Sequence, residues 1–224
     1  SGLVGSEMCI RDRDGAILQC YVPSSCRLEH LIALPGKKVL LLPNGSKNSK
    51  TKYSLFAVAY KRSYIILNSN IANILIGNNL HSRRFSYLGK RTKILREYTL
   101  DSYKSDFFIC DTSTIVEVKS IITEADTAVY PSVYSARLIE QLKYIELHLK
   151  QGKPACYIIV SLNPYLRSVT FDTDNPAYAL FKSCQKLGMS ITGVCCRMHQ
   201  GSLIISGTAV SYTHLRAHET REDL

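Results

Sequence analysis

Between Ser105 and Ser120 the chain reads SDFFICDTSTIVEVKS, two short apolar runs joined by a polar turn. Alternation within the runs and turn formers between them predict an antiparallel β-hairpin with a buried face. The runs also carry charge, with Asp106 near the start and Glu117 and Lys119 near the end. Ionised groups in such strands cost roughly several kcal/mol unless they are paired or bound to a metal. A chain that keeps three of them here has a use for them.

With the turn centred on Thr112 and Ser113, Asp106 is expected opposite Lys119 and Phe108 opposite Glu117. Side chains alternate with a period of two, so Asp106, Glu117 and Lys119 leave one face together. Two converging carboxylates repel each other, and a divalent cation resolves the conflict. Mg²⁺, with Mn²⁺ as a substitute, takes one or two carboxylates and fills its shell with water and substrate phosphate. Lys119 beside it would orient or help deprotonate an attacking water and stabilise developing negative charge. The same residues also fit a cross-strand ion pair of Asp106 with Lys119 on a solvated face. Glu97, ahead of the hairpin, is free to pair on the surface with Arg96 or Lys93, and any further role for it rests on the resemblance given below.

Around the hairpin, from Arg96 onwards, strands and helices alternate, which predicts an α/β layer architecture with parallel neighbours. Leu138, Ile139, Leu142, Ile145 and Leu149 share a helical face that ends at Gly152, and ACYIIV follows as an apolar strand. A second helix is expected with Asp174 or Asn175 as N-cap, Pro176 at its first position and Gly188 as terminator, followed by the strand SITGVCC. Ahead of this region, from Asp14 to about Leu80, AILQCYV, KKVLLL, YSLFAVAY and SYIILN are short strands separated by turn residues, as in a small β-barrel. Ile71, Ile74, Leu75 and Asn78 have helical spacing and are expected to close this unit. HSRRFSYLGKRTK, residues 81–93, is either a solvated connector or a phosphate-contacting strip with Phe85 or Tyr87 free to stack. The expected division is a barrel over 14–82 and an α/β domain over 83–209.

The two ends stand apart. VSYTHLRAHET, Val210 to Thr220, can be encoded by a DNA string whose reverse complement, in one frame, encodes LVGSEMCIRD, Leu3 to Asp12. The segment 210–220 also lacks the helical or strand periodicity of an element that packs, so residues 1–13 and 210–224 are expected to be translated sequencing-library adapter, resembling a transposase-type adapter, with the natural ends missing or replaced. Taking their four arginines and five acids from 28 basic and 18 acidic residues leaves 24 against 13, a net charge of +11 beside +10 for the whole chain. The basic balance thus belongs to the body of the protein and suits a phosphate polymer. Eight cysteines without a C-x-x-C pair argue for reduced core thiols, and no apolar run of membrane length or secretory leader is apparent, so a cytoplasmic protein is expected.

An acid, about ten residues, then Glu-x-Lys across a hairpin followed by a helix and an apolar strand resembles the PD-(D/E)xK nuclease core. Over nearly all of residues 16–200 the chain also resembles the sugar fermentation stimulation protein A (SfsA) family. The resemblance rests on VPSSCRL at Val22–Leu28, LNSNIAN at Leu67–Asn73, REYTLDSYKSDFF with Glu97 and Asp106, EVKS at Glu117–Ser120, and YPSVYSARL at Tyr130–Leu138. It implies an N-terminal OB-like barrel followed by a PD-(D/E)xK restriction-endonuclease-like domain, α+β overall. It further implies a metal-dependent DNA or RNA nuclease with Asp106, Glu117 and Lys119 catalytic and Asp106, Glu117 and Glu97 on the metal.

Basic side chains expected at the nucleic acid are Arg27, Lys50, Lys52, Arg83, Arg84, Lys90, Arg91, Lys104 and Arg137; Gln141 and Lys143 are further candidates. A homodimer is left open. Departures from the family pattern fall at Ser24, Ser25 and Cys26, where a glycine is lost, and at Ser132, Ala136 and Leu138, where two acids and a glycine are lost while Arg137 persists. The alternative is a catalytically weak or inactive DNA-binding regulator of sugar metabolism genes.

Overall fold

The apolar runs of the first third become strands because their β-branched and aromatic residues suit a pleated, half-buried surface and each run ends at turn formers. The computed structural model describes residues 6–11, 15–23, 32–45, 49–100, 103–206 and 211–213. Strands β1 (Ser6–Arg11), β2 (Ile17–Val22), β3 (Val39–Pro43), β4 (Tyr53–Tyr60) and β5 (Ser63–Ile66) form a five-stranded sheet in the order β1-β2-β4-β3, with β5 also paired to β4. Cys20, Val22, Leu55, Val58, Ile65 and Leu67 fill its core.

Helix α1 (Asn70–Asn79) forms where helical spacing predicts it, but its buried face is Ala72, Leu75 and Ile76, and Ile74 is half exposed. The face is rotated because α1 has two neighbours. It shares one core with Ala57 and Ile66 of the first sheet and with Phe107, Val116 and Ile158 of the next. The expected boundary near residue 82 therefore crosses a common core. The basic connector is a 3-10 helix at Arg83–Leu88, anchored by buried Phe85 and Leu88.

Beyond it run β6 (Ile94–Leu100), β7 (Tyr103–Ile109), β8 (Thr114–Ile121), β9 (Thr127–Tyr130), α2 (Ala136–Lys150), β10 (Ala155–Ser161), β11 (Ser168–Phe171), α3 (Ala177–Lys186), β12 (Ser190–His199), β13 (Ser202–Ser206) and β14 (Ser211–Thr213). A six-stranded sheet has the order β13-β12-β10-β8-β7-β6, with β8, β10 and β12 parallel. β10 is buried at every position because both faces are covered, as an uninterrupted apolar run predicts. Leu138, Leu142, Ile145 and Leu149 of α2 and Phe181 and Cys184 of α3 pack on Ile115, Tyr157 and Ile159 of the sheet. Ser135 caps α2 by accepting from the Leu138 N–H at 3.2 Å, and Gly152 ends it at φ +76°. Helix α3 starts one residue later than expected, with Pro176 as N-cap and Asn175 Oδ1 accepting from the Ala177 N–H at 3.1 Å.

The C-terminal segment, read as lacking a packing element, is corrected over one short stretch, and part of the N-terminal segment joins a sheet as well. β1 pairs antiparallel with β2, and β14 pairs parallel with β11. An open sheet edge offers backbone donors and acceptors to any extended segment, whatever its side-chain pattern. Among the described residues no helix is long and apolar enough to cross a membrane.

Candidate active site

The hairpin register is Phe107 with Val116, Phe108 with Ile115 and Ile109 with Thr114, shifted by two residues from the expected one. The connection is longer than a two-residue turn, spanning Cys110–Ser113 with Ser113 at φ +54°. A slip of two preserves which face each side chain uses, whereas a slip of one would invert it. Asp106 consequently comes level with Glu117 and not with Lys119.

At Asp106 the backbone ladder is interrupted on both sides. Pairing with β8 stops at Phe107, and pairing with β6 skips from Arg96–Phe107 to Tyr98–Ser105, where Glu97 adopts φ +49°. Carboxylates take over the vacated hydrogen bonds. The Asp106 N–H donates to Glu117 Oε1 at 3.3 Å, and the Val118 N–H donates to Asp106 Oδ2 at 2.9 Å. Asn73 Nδ2, from α1, donates to Asp106 Oδ1 at 3.0 Å. Two acids are thus fixed at the point where the strands part.

Glu117 is 1% exposed and sits among phenols. Tyr103 Oη donates to its Oε1, Lys119 Nζ stands 3.3 Å from its Oε2, and Tyr157 is its neighbour in register on β10. Tyr157 Oη is in turn 2.5 Å from Tyr130 Oη. Burial first, and then the Asp106 carboxylate, push the Glu117 carboxyl up to about 7, against the opposing pull of Lys119 and Tyr103. Burial and the Glu117 charge likewise push the Tyr103 phenol upwards.

The donor set is two hard-oxygen carboxylates with an ammonium alongside, which fits a cation that fills its remaining positions with water and phosphate. Among the described residues no group of three or more His, Cys, Asp or Glu side chains is placed to hold a metal. Glu97 stands outside the pair: its carboxylate is mostly exposed and bonded to Lys104. Its left-handed backbone explains the departure from the expected ligand role, by breaking the alternation that would align it with Asp106.

Of the expected nucleic-acid contacts, Arg27 lies outside the described residues, as does most of the VPSSCRL segment. Lys50 and Lys52 are exposed on the loop before β4; Arg83 is exposed and Arg84 half-buried on the 3-10 helix. Lys90 lies 3.9 Å from Asp111. Arg91 is committed to structure, donating to the carbonyls of Leu80 at 2.8 Å and of Gly89 and Ser82. Phe85 is fully buried and unavailable for stacking, and Tyr87 bonds Thr192 Oγ1 at 2.9 Å. Lys104 and Arg137 come together along one groove beside Tyr103. His148 is a satisfied core residue, its Nε2 2.9 Å from the Ser113 carbonyl oxygen.

Two contributors escaped the spacing argument. Asn73 lies in the LNSNIAN segment, which suggested kinship but no contact, because its partner is 33 positions away. Tyr103 lies three residues before Asp106, out of phase with a regular strand, and reaches Glu117 only because the strand is irregular there.

The family profile described as "Sugar fermentation stimulation protein RE domain" matches residues 70–202, and "SfsA N-terminal OB domain" matches residues 8–67. A sugar fermentation stimulation protein homolog of Clostridium kluyveri is 30% identical over 151 residues, a match spanning 66% of this chain and 65% of the relative's length. A homolog from Clostridium botulinum strain Alaska E43 is 25% identical over 199 residues, 86% of each chain. The structure of Pyrococcus furiosus SfsA in complex with Ca²⁺ superposes with a TM-score of 0.75 at 18% identity, covering 92% of this chain and 94% of the other. The likeness extends over the mixed α/β architecture, with its N-terminal OB domain and sheet-rich C-terminal domain.

Proposed function

This chain belongs to the sugar fermentation stimulation protein family, and we propose that it is a divalent-metal-dependent nuclease that hydrolyses phosphodiester bonds of DNA or RNA. One observation carries the reading: Asp106 and Glu117 are held against each other at a break in the sheet, with Lys119 Nζ 3.3 Å from Glu117. Keeping two acids and an ammonium on buried strands is costly, and it is the arrangement that the PD-(D/E)xK resemblance implies.

Asp106 and Glu117 would hold Mg²⁺ or Mn²⁺, which supplies Lewis-acid stabilisation of the charge that builds on the phosphate. Asn73 and the Val118 amide fix the Asp106 carboxylate, and Tyr103 fixes that of Glu117. Lys119 is the side chain positioned to orient the attacking water. An OB domain and a net charge of +10 support nucleic acid as the partner. The Ca²⁺ complex of the Pyrococcus relative supports including a third cation in any test.

A second reading, a nucleic-acid-binding regulator without turnover, is favoured by the exposed Ser132 and Ala136, where the family pattern has acids. One experiment separates the two. Labelled single- and double-stranded DNA and RNA are incubated with Mg²⁺, Mn²⁺, Ca²⁺ or EDTA and either the wild type or Asp106→Ala. Cleavage that needs the metal and is lost in Asp106→Ala, with binding retained, supports the nuclease. Cleavage by the variant at the wild-type rate removes the catalytic assignment, and salt-steep binding without products under any metal supports the regulator.

A further inference from the structure

Beside Tyr103 lies a groove of about 570 Å³ between β7 and α2. Its size falls within the range of about 300–1,000 Å³ typical of small-ligand sites. Tyr103 and Tyr144 form an aromatic floor, their rings stacked with centroids 4.4 Å apart. Lys104, Arg137 and Lys143 line the groove; Lys104 pairs with Glu97 and Lys143 with Glu140, whereas Arg137 has no acidic partner among the described residues. Tyr134, 66% exposed on the segment just before α2, stands within electrostatic reach of the Lys143 ammonium.

Gln141 makes this groove more than a charged surface. It is only 8% exposed and lines the groove, yet its carboxamide has no hydrogen bond to any described residue. A recessed amide without a protein partner is met by water or by a ligand that enters the groove, and a ligand that matches both of its halves displaces that water at little cost. A phosphate offers only acceptors and would satisfy the NH₂ half alone. A nucleobase edge offers a donor and an acceptor together and satisfies both halves. A paired base shows such an edge only inside the major groove, which a side chain recessed in a groove of its own cannot enter, so the base that reaches Gln141 is an unpaired one.

We propose that this groove is a subsite for one unpaired nucleotide of a single-stranded polynucleotide, with the base edge on Gln141, the base face against Tyr134 or the Tyr103–Tyr144 floor, and the flanking phosphate on Arg137. Cationic side chains interleaved with aromatic ones are the usual means of holding single strands. The groove meets the proposed nuclease site through Tyr103, which lines the groove and whose hydroxyl donates to Glu117. The assignment rests on the nuclease reading for its biological purpose but not for its test.

The test uses fluorescence anisotropy in EDTA with a short labelled oligonucleotide, as single-stranded DNA, single-stranded RNA and duplex, together with thermal melts. Wild type is expected to prefer single strands. Gln141→Met is expected to weaken single-strand binding about tenfold and leave duplex binding unchanged, while the melting temperature holds or rises because an unmet amide has been removed. Tyr134→Ala, at an exposed site, is expected to reduce the single-strand preference by a similar factor. A Gln141→Met protein that melts lower and binds single strands as well as wild type makes Gln141 structural and overturns the proposal. Equal wild-type affinity for duplex and single strand overturns it as well. Loss of the nuclease reading is read separately: no cleavage with any metal, with the single-strand preference intact, removes the catalysis and keeps the subsite.

Discussion

Asn73 Nδ2 donates to Asp106 Oδ1 at 3.0 Å, so the first helix of the chain holds one of the two acids at the site. Outer hydrogen bonds of this kind fix the orientation of a ligand, and their loss typically costs about 10–100-fold in metal affinity or activity. Asn73→Ala is expected to raise the Mg²⁺ concentration for half-maximal cleavage within that range and to leave oligonucleotide affinity in EDTA unchanged. Cleavage rates measured across a metal titration check this. An unaltered Mg²⁺ curve would show that Asp106 is held well enough by the Val118 amide alone.

Tyr103→Phe separates two roles of one ring. Phenylalanine preserves the stack on Tyr144, so the melting temperature is expected to change little. The variant loses the donor to Glu117 Oε1, an interaction that pulls the Glu117 carboxyl downwards. Its acid dissociation is therefore expected to move to higher pH, and the acid limb of the pH–rate profile with it. Coincident profiles for the two proteins would remove Tyr103 from the site.

Gly77→Ala tests the packing between α1 and β7. A Cβ there would lie 2.6 Å from Arg96 Nη2 and 2.9 Å from Phe107 Cε1. The arginine end can swing aside, at the expense of its 3.1 Å bond to Asn78, but Phe107 is 2% exposed and has nowhere to go. Overpacking of about 1–3 kcal/mol is expected to outweigh the gain of up to about 1 kcal/mol that alanine brings to a helix. Urea unfolding checks the sign, and a variant more stable than wild type would refute the contact.

The grouping of the charged residues was legible in the sequence because strand periodicity is insensitive to a slip of two. Asp106 and Glu117 meet despite the wrong expected register, since the four-residue turn displaced it by an even number. Helix α2 and strand β10 were legible because each has one dominant periodicity and clear terminators. Glu97, Arg91 and Phe85 were not, for three separate reasons. A single left-handed residue turns Glu97 out; orphan carbonyls near the end of α1 claim Arg91; and a core shared between two sheets draws in Phe85. None of these is written in the local pattern. The small sheet β14-β11-β9 was likewise missed, because strands of three or four residues carry too little alternation to read.

On the proposed nuclease reading, Glu117 links stability and pH to the metal. In the folded protein its carboxyl is pushed up to about 7, mainly by burial, from an ordinary value of 4.5. The folded state therefore holds this proton more tightly than the unfolded chain does. Stability from this group is fully present below about pH 4.5 and is lost as pH rises through about 7, a change on the order of 3 kcal/mol. A cation bound by the Asp106–Glu117 pair needs the ionised form, so it competes with the proton and offsets the loss. Added Mg²⁺ is expected to raise the melting temperature clearly at pH 8 and little at pH 5.5, and calorimetry near pH 6 in buffers of different ionisation enthalpy is expected to detect proton release on binding. In Glu117→Gln both the pH dependence and the Mg²⁺ stabilisation are expected to shrink together. Mg²⁺ stabilisation that is equal at both pH values, or that survives in Glu117→Gln, would place the ion away from this carboxylate.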